Sequence, residues 1–188
     1  MEEGNVMELK YNIRDARRED IPKLLEIYRY YVEETPVSFE YELPSQSEFE
    51  TRLETITRKF PYLVIEYKEV IVGYAYASVF KGRAAYDWSV ETTIYISKDY
   101  KDQGAGKTLY TQLERCLQKQ NILNMNACIT YGNPKSMEFH KKMGYEQVAH
   151  FHKCGYKFGQ WYDMVWFEKI IGEHQENMPA IVPYKELP

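Results

Sequence analysis

The chain has 188 residues, 44% hydrophobic and 28% charged, a size and composition that suit one globular domain with its own core. A formal net charge of −4 argues against a nucleic-acid partner, whose binding rests on a basic surface that releases phosphate counterions. Three cysteines, with no C-x-x-C or Cys/His ligand spacing, support neither a disulfide framework nor a zinc site; a reducing compartment and no metal are expected.

Residues 1–10 read as a loose lead-in: they carry three glutamates and lack the apolar h-region of a secretory signal. Residues 11–16 suit a short strand with Tyr11 and Ile13 on one face. From Ile21 the apolar positions Ile21, Leu24, Leu25, Tyr28, Tyr31 and Val32 form the stripe of an amphipathic helix. Pro22 is tolerated in its first turn, with Asp20 as candidate cap. Residues 35–44 break the period and read as a loop, and a more polar helix is expected over 45–58. Residues 61–67 and 70–80, rich in Val, Ile and Tyr and parted by Lys68–Glu69, read as a β-hairpin. A charged loop (81–85) precedes a strand over about 88–96.

A glycine loop then leads into a long helix with Leu109, Leu113 and Leu117 at spacing four. A buried strand is expected over 125–130. Asn133–Pro134 is a helix start, cap followed by proline, and Gly144 a helix stop. Two last strands fit 145–152 and 160–170; the tail from Gly172, with three prolines, reads as irregular. No apolar run approaches the ~18 residues of a spanning helix, so no membrane partner is expected and the chain reads as soluble and cytoplasmic. The domain is placed at 11–171, as a mixed sheet with helices packed on it.

The loop between strand and helix, residues 97–108, reads SKDYKDQGAGKT. Gly104 and Gly106 remove side chains where the helix begins, so backbone N–H groups can approach an anion, and Lys101 and Lys107 add charge. A pyrophosphate suits this site; a helix-start turn that binds nothing is the plain alternative. Gly106-Lys107-Thr108 matches the end of a nucleotide P-loop, but Lys101 stands where its first glycine is required. The better match is the coenzyme A loop of the GNAT N-acetyltransferases, R/Q-x-x-G-x-G/A, with Lys101 in place of Arg or Gln. Lys keeps the charge and loses the bidentate fork. Ile94 and Ile96 before the loop, then Asn133, Ser136, Gly144 and Tyr145 after it, follow the order of that superfamily's other landmarks over about residues 11–170.

Within the superfamily, FKGRAAYDWSVETTIYIS (80–97), SMEFHKKMGY (136–145), GYKFGQWYDMVWFEK (155–169) and TPVSFE (35–40) resemble the phosphinothricin acetyltransferase branch. The resemblance implies an α+β GNAT fold with a mostly antiparallel sheet, acetyl-coenzyme A as co-substrate, a small amino-acid-like amine as acceptor, and a homodimer. It implies a coenzyme site from Thr93, Ile94, Tyr95, Ile96, Lys101, Asp102, Gln103, Gly104, Ala105, Gly106, Lys107, Thr108, Asn133 and Ser136. Backbone N–H groups of residues 93–96, opened by a bulge, would stabilise the oxyanion.

Glu91 matches the general base, against the plainer reading of a half-buried carboxylate paired with a cation. His140 stands on one helical face with Asn133 and Ser136; it is a candidate acid, a coenzyme contact or a packed histidine. Phe39, Lys81, Arg83 and Tyr86 match substrate contacts, although composition alone would make 81–86 a solvated basic loop. Trp161 and Asp163 belong to the substrate wall, a dimer contact or the core. Another GNAT enzyme acting on a cationic amine, and a coenzyme-binding regulator with a dead site, are the rivals; the basic loop speaks against the first, Glu91 and His140 against the second.

Overall fold

The computed structural model describes residues 10–187, so the expected lead-in lies outside the described residues except for Lys10. Strand β1 (Tyr11–Asp15) is followed by helices α1 (Ile21–Glu33) and α2 (Gln46–Thr57). The β2 (Tyr62–Tyr67) and β3 (Val70–Val79) hairpin leads to β4 (Ser89–Ile96), then α3 (Ala105–Lys119), β5 (Asn124–Thr130) and α4 (Pro134–Lys142). The β6 (Glu146–Lys157) and β7 (Gln160–Ile170) hairpin completes a seven-stranded sheet of order β1-β2-β3-β4-β5-β7-β6.

Local chemistry accounts for the elements. The α1 stripe buries Ile21, Leu24, Tyr28, Tyr31 and Val32 as expected; Ile27 joins them and Leu25 packs at the edge. Asp20 does not cap α1 with its side chain. Its carboxylate turns back to accept the Arg17 N–H at 2.7 Å and pairs with Arg14, so the charge is spent on β1 and the turn before the helix. Ser45 and Glu48 form a reciprocal capping box at α2. Lys68 and Glu69 both take positive φ, the twist a two-residue hairpin turn needs. Strand β6 runs five residues past its expected end at His152, because its register shifts between Phe151 and Gly155 rather than breaking there.

The sheet carries two cores. Helix α3 buries Leu109, Leu113 and Leu117 against Val72, Val90, Met125 and Phe167. On the other face α1 and α2 close a layer rich in tyrosine, in which Tyr28 and Tyr31 pack on Tyr95 and Tyr74 lies beside Tyr62. The irregular tail is tied down: Gln120 Nε2 donates to the carbonyls of Lys59 and Val182, Trp88 Nε1 to that of Pro179, and Tyr184 to Asp15.

One topological fact positions the site. Neighbouring strands of the described sheet are antiparallel except β4 and β5, which run parallel and pair only through Ser89–Glu91 and Asn124–Asn126. Beyond Glu91 the two strands part, leaving one edge of β4 open.

Candidate active site

Two cavities meet where β4 and β5 separate. A groove of about 740 Å³ runs from the glycine loop past Ile96 and Ile94 to α4, and a second cavity of about 390 Å³ holds Glu91, Phe39 and His140. Val37, Ile94, Thr130, Asn133 and Ser136 line both, so the cavities share a wall.

The β4 edge has one free donor where it matters. Ser97 donates to Val72, and strand alternation then commits the N–H groups of Thr93 and Tyr95 to β3 and turns those of Thr92, Ile94 and Ile96 toward the gap. The Ile96 N–H meets the Tyr31 hydroxyl at 3.3 Å, and that hydroxyl donates to the Ile96 carbonyl at 2.6 Å. The Thr92 N–H belongs to the last step of the β4–β5 ladder, at Glu91 and Asn126, which leaves Ile94 as the available N–H. The expected bulge in β4 is absent, since its register with β3 is unbroken from Val90 to Ile96; the parting of β4 from β5 opens the edge instead. Alternation also sends the Thr93 and Tyr95 side chains into the smaller cavity, so neither lines the groove.

At the groove's other end Gly104 has φ +87° and caps α3. The N–H groups of Ala105, Gly106 and Lys107 have no carbonyl ahead of them in the helix, and the macrodipole adds partial positive charge. A Cβ at Gly106 would sit 3.6 Å from the Phe139 ring and 3.8 Å from Ile96, both of which line the groove. Lys101, over the rings of Tyr30 and Tyr31, and Lys107 line the groove. Burial, with Lys135 nearby, lowers the Lys101 pKa. Asp102 also lines it, but its carboxylate is paired with Lys135 at 2.8 Å.

Three expected residues keep their side chains out of the groove, Ala105 offering only its N–H. The Gln103 amide bends back to the Asp99 carbonyl, the Ala105 side chain is buried beneath the helix, and Thr108 bonds Gly104 through both its N–H and its hydroxyl. A diphosphate with an extended thioester arm suits this groove: helix-start donors and cations at one end, an open strand edge at the other.

Glu91 is half-buried, and burial raises its carboxyl pKa above the usual value while Lys81 opposes the shift. The neighbouring Cys128 thiol is pushed up to about 12, chiefly by burial and then by Glu91, which leaves it a poor nucleophile at neutral pH. His140 is 4% exposed, and its Nδ1 lies 2.8 Å from the Ser136 carbonyl, an acceptor, so Nδ1 carries the proton. Its Nε2 faces the Tyr110 hydroxyl at 3.4 Å, and burial lowers its pKa. The ring is therefore neutral, with a lone pair on Nε2. The Asn133 side chain accepts the Ser136 N–H and caps α4.

Phe39 lines the smaller cavity as expected. Lys81, Arg83 and Tyr86 do not line it: the loop forms a 3-10 turn at Ala84–Tyr86 and is pinned by Asp87 to Lys59. Lys81 lies over the Phe80 and Trp166 rings, near enough for its charge to act on Glu91. Trp161 is 60% exposed against Tyr156, and Asp163 bonds His150 and His152.

Two residues that support the Phe39 segment from behind the cavity have no signal in the sequence. The Lys157 ammonium, 2% exposed, donates to the carbonyls of Val32, Thr35 and Ser38 at 2.6, 3.1 and 2.6 Å. It thereby ties the end of α1 and the Phe39 loop to β6. Gly155 gives the Phe39 ring its seat, because a Cβ there would lie 1.9 Å from Phe39 Cε2.

Known proteins share this fold. The acetyltransferase (GNAT) domain family matches residues 13–166. The chain is 34% identical over 157 residues to a phosphinothricin N-acetyltransferase of Streptomyces viridochromogenes, covering 84% of this chain and 86% of that protein. It is 29% identical over 165 residues to an L-methionine sulfoximine/L-methionine sulfone acetyltransferase of Pseudomonas aeruginosa, covering 84% and 92%. A phosphinothricin acetyltransferase of Sinorhizobium meliloti, solved with acetyl-coenzyme A, superposes with a TM-score of 0.87 at 32% identity, covering 94% and 97%.

Proposed function

The chain belongs to the GNAT acetyltransferase family, and we propose that it acetylates the amino group of a small amino-acid-like substrate, such as phosphinothricin or methionine sulfoximine. The observation that carries this reading is the position of Glu91: a half-buried carboxylate with a raised pKa, in a cavity whose wall is also the wall of the coenzyme groove. The relatives above acetylate acceptors of this class, which supports the choice of substrate.

Acetyl-coenzyme A, when bound, supplies an acetyl thioester as the electrophile. The first-turn N–H groups of α3, with Lys101 and Lys107, hold its diphosphate. The Ile94 N–H stands on the open edge as a fixed donor for charge developing on the carbonyl oxygen. Glu91 accepts the proton of the substrate ammonium, directly or through one water, and a base with a raised pKa holds that proton better. Phe39, seated on Gly155, closes the acceptor side. His140 serves as a positioning residue: its neutral ring fixes the first turn of α4 through the Ser136 carbonyl and has no spare proton to give a leaving thiolate. Cys128, with its thiol held protonated, favours direct transfer over an acetyl-cysteine.

Lys81 supplies positive charge near the cavity; Arg83 and Tyr86, which do not line it, are not carried forward as substrate contacts. A homodimer is part of the reading, supported by the apolar tip of the β6–β7 hairpin, where Phe158 and Trp161 are 55% and 60% exposed. So are a cytoplasmic location and resistance to herbicide-like amines. Incubation with acetyl-coenzyme A and a panel of amino-acid analogues, polyamines and peptides, read by mass spectrometry, tests it. A mass gain of one acetyl group on the zwitterionic analogues is expected; acetylation of polyamines or peptides alone, or of nothing, overturns the assignment.

A further inference from the structure

The β6–β7 hairpin carries a cluster that acetyl transfer does not use. His150 and His152 stand two apart on β6, so strand alternation brings both rings to one face, with centroids 4.4 Å apart. Asp163 meets them from β7. Its Oδ2 lies 2.8 Å from His150 Nε2 and 3.1 Å from His152 Nδ1. Its Oδ1 accepts the Lys153 N–H at 2.8 Å, which fixes the carboxylate's orientation. That N–H is aimed inward because Lys153 takes φ +47° where the register of β6 shifts, a conformation a bulky side chain rarely adopts. The cluster is thus held by backbone geometry as well as by its own contacts.

We propose that His150, His152 and Asp163 form a site for a borderline divalent cation of the zinc class. The three ligand atoms lie within 4.8 Å of one another. Two ligands bound tetrahedrally at the usual zinc distances lie roughly 3.4 Å apart, so the 2.8 and 3.1 Å contacts need to open by only a few tenths of an ångström. Two imidazoles and one carboxylate select zinc, nickel or copper over magnesium and calcium, which prefer all-oxygen sets. His152 is 75% exposed, which leaves an entry path and room for a water as fourth ligand.

An ion here would brace the coenzyme groove from behind. The Tyr131 ring packs 4.6 Å from His150, its N–H donates to the Asp163 carbonyl, and Tyr131 lines the groove. Cysteine spacing, on which the expectation of no metal rests, carries no sign of this cluster. The signal was H-x-H on a strand, and Asp163 is its neighbour only once the hairpin has formed.

Titration calorimetry of the chelator-treated chain with zinc chloride tests the proposal. One zinc per chain at about micromolar affinity is expected, with melting temperature raised by zinc and no competition from excess magnesium. His152→Ala, an exposed change that spares the core, is expected to weaken binding tenfold or more, as is Asp163→Asn. His174→Ala, which removes a histidine bonded to Asn124 elsewhere, is expected to leave binding unchanged. Cobalt(II) should give visible absorption bands with the wild type that are lost in His152→Ala. Zinc binding no tighter than about 100 μM, or equal losses in His152→Ala and His174→Ala, would overturn the site and leave the cluster as hydrogen bonds that staple the hairpin.

Discussion

Replacing Lys157 by methionine removes an ammonium and keeps most of its stem. Three carbonyls lose their donor at once, those of Val32, Thr35 and Ser38. Hydrogen bonds to a charged group contribute about 1.5–3 kcal/mol each. Their sum is an upper bound, because the methionine stem still packs and the folded chain no longer holds an ammonium away from water. A loss of about 3–5 kcal/mol remains, the range for removing one partner of a buried charged contact. In a chain of this size each kcal/mol shifts the melting temperature by about 2–4 °C, so a fall of roughly 6–20 °C is expected. The same carbonyls hold the Phe39 loop, so the amine KM of Lys157→Met should rise more than that for acetyl-coenzyme A. Calorimetric melting with steady-state kinetics in both substrates is the assay. A melting temperature within 2 °C of wild type and an unchanged amine KM would show that water replaces the ammonium and that the cage is decorative.

Glu91→Gln should lower kcat by roughly 10²–10⁴-fold, with part of the loss regained at higher pH, where solvent takes the proton; a pH profile overlaying wild type would remove Glu91 as base. Because burial raises the Glu91 pKa and Lys81 opposes it, the acidic limb of wild-type kcat should lie above the usual carboxylate range. Lys81→Met, which deletes the opposing charge, should move that limb to higher pH; a move to lower pH would contradict the assignment. Gly104→Val places a branched side chain at φ +87° and should raise the acetyl-coenzyme A dissociation constant tenfold or more, about 1.4 kcal/mol, by calorimetry on a folded variant. Gly155→Ala puts a methyl into the Phe39 ring and should raise the amine KM while sparing coenzyme affinity; equal effects on both would place Phe39 outside the acceptor site.

What the sequence made legible was short-range. The α1 stripe, the Asn133–Pro134 helix start and the glycine loop each draw their signal from residues within two turns of one another, and each stands as expected. The errors lie where distant segments meet. Lys157 reaches Val32 across 125 positions, and nothing near it in the chain marks a buried lysine. Gly155 falls between the two expected last strands and shows no role until the Phe39 ring is laid on it. The coenzyme edge needed no bulge, because a parallel pair that stops after three residues opens the sheet by topology, which spacing along one strand does not reveal. Lys81, Arg83 and Tyr86 match a motif, yet none lines the cavity and only Lys81 comes near enough for its charge to act on Glu91.

The wall shared by the two cavities has a consequence for inhibitor chemistry. Ile94, Thr130, Asn133 and Ser136 border both spaces, so the acceptor cavity and the coenzyme groove lie against the same few side chains. A single molecule that joins an amino-acid analogue to coenzyme A through a short linker would occupy both chambers in one event. The second half then binds at an effective concentration in the millimolar range, set by the tether rather than by free solution. Such a conjugate should bind more tightly than either half alone, and shortening or lengthening its linker atom by atom would measure the span between the two sites.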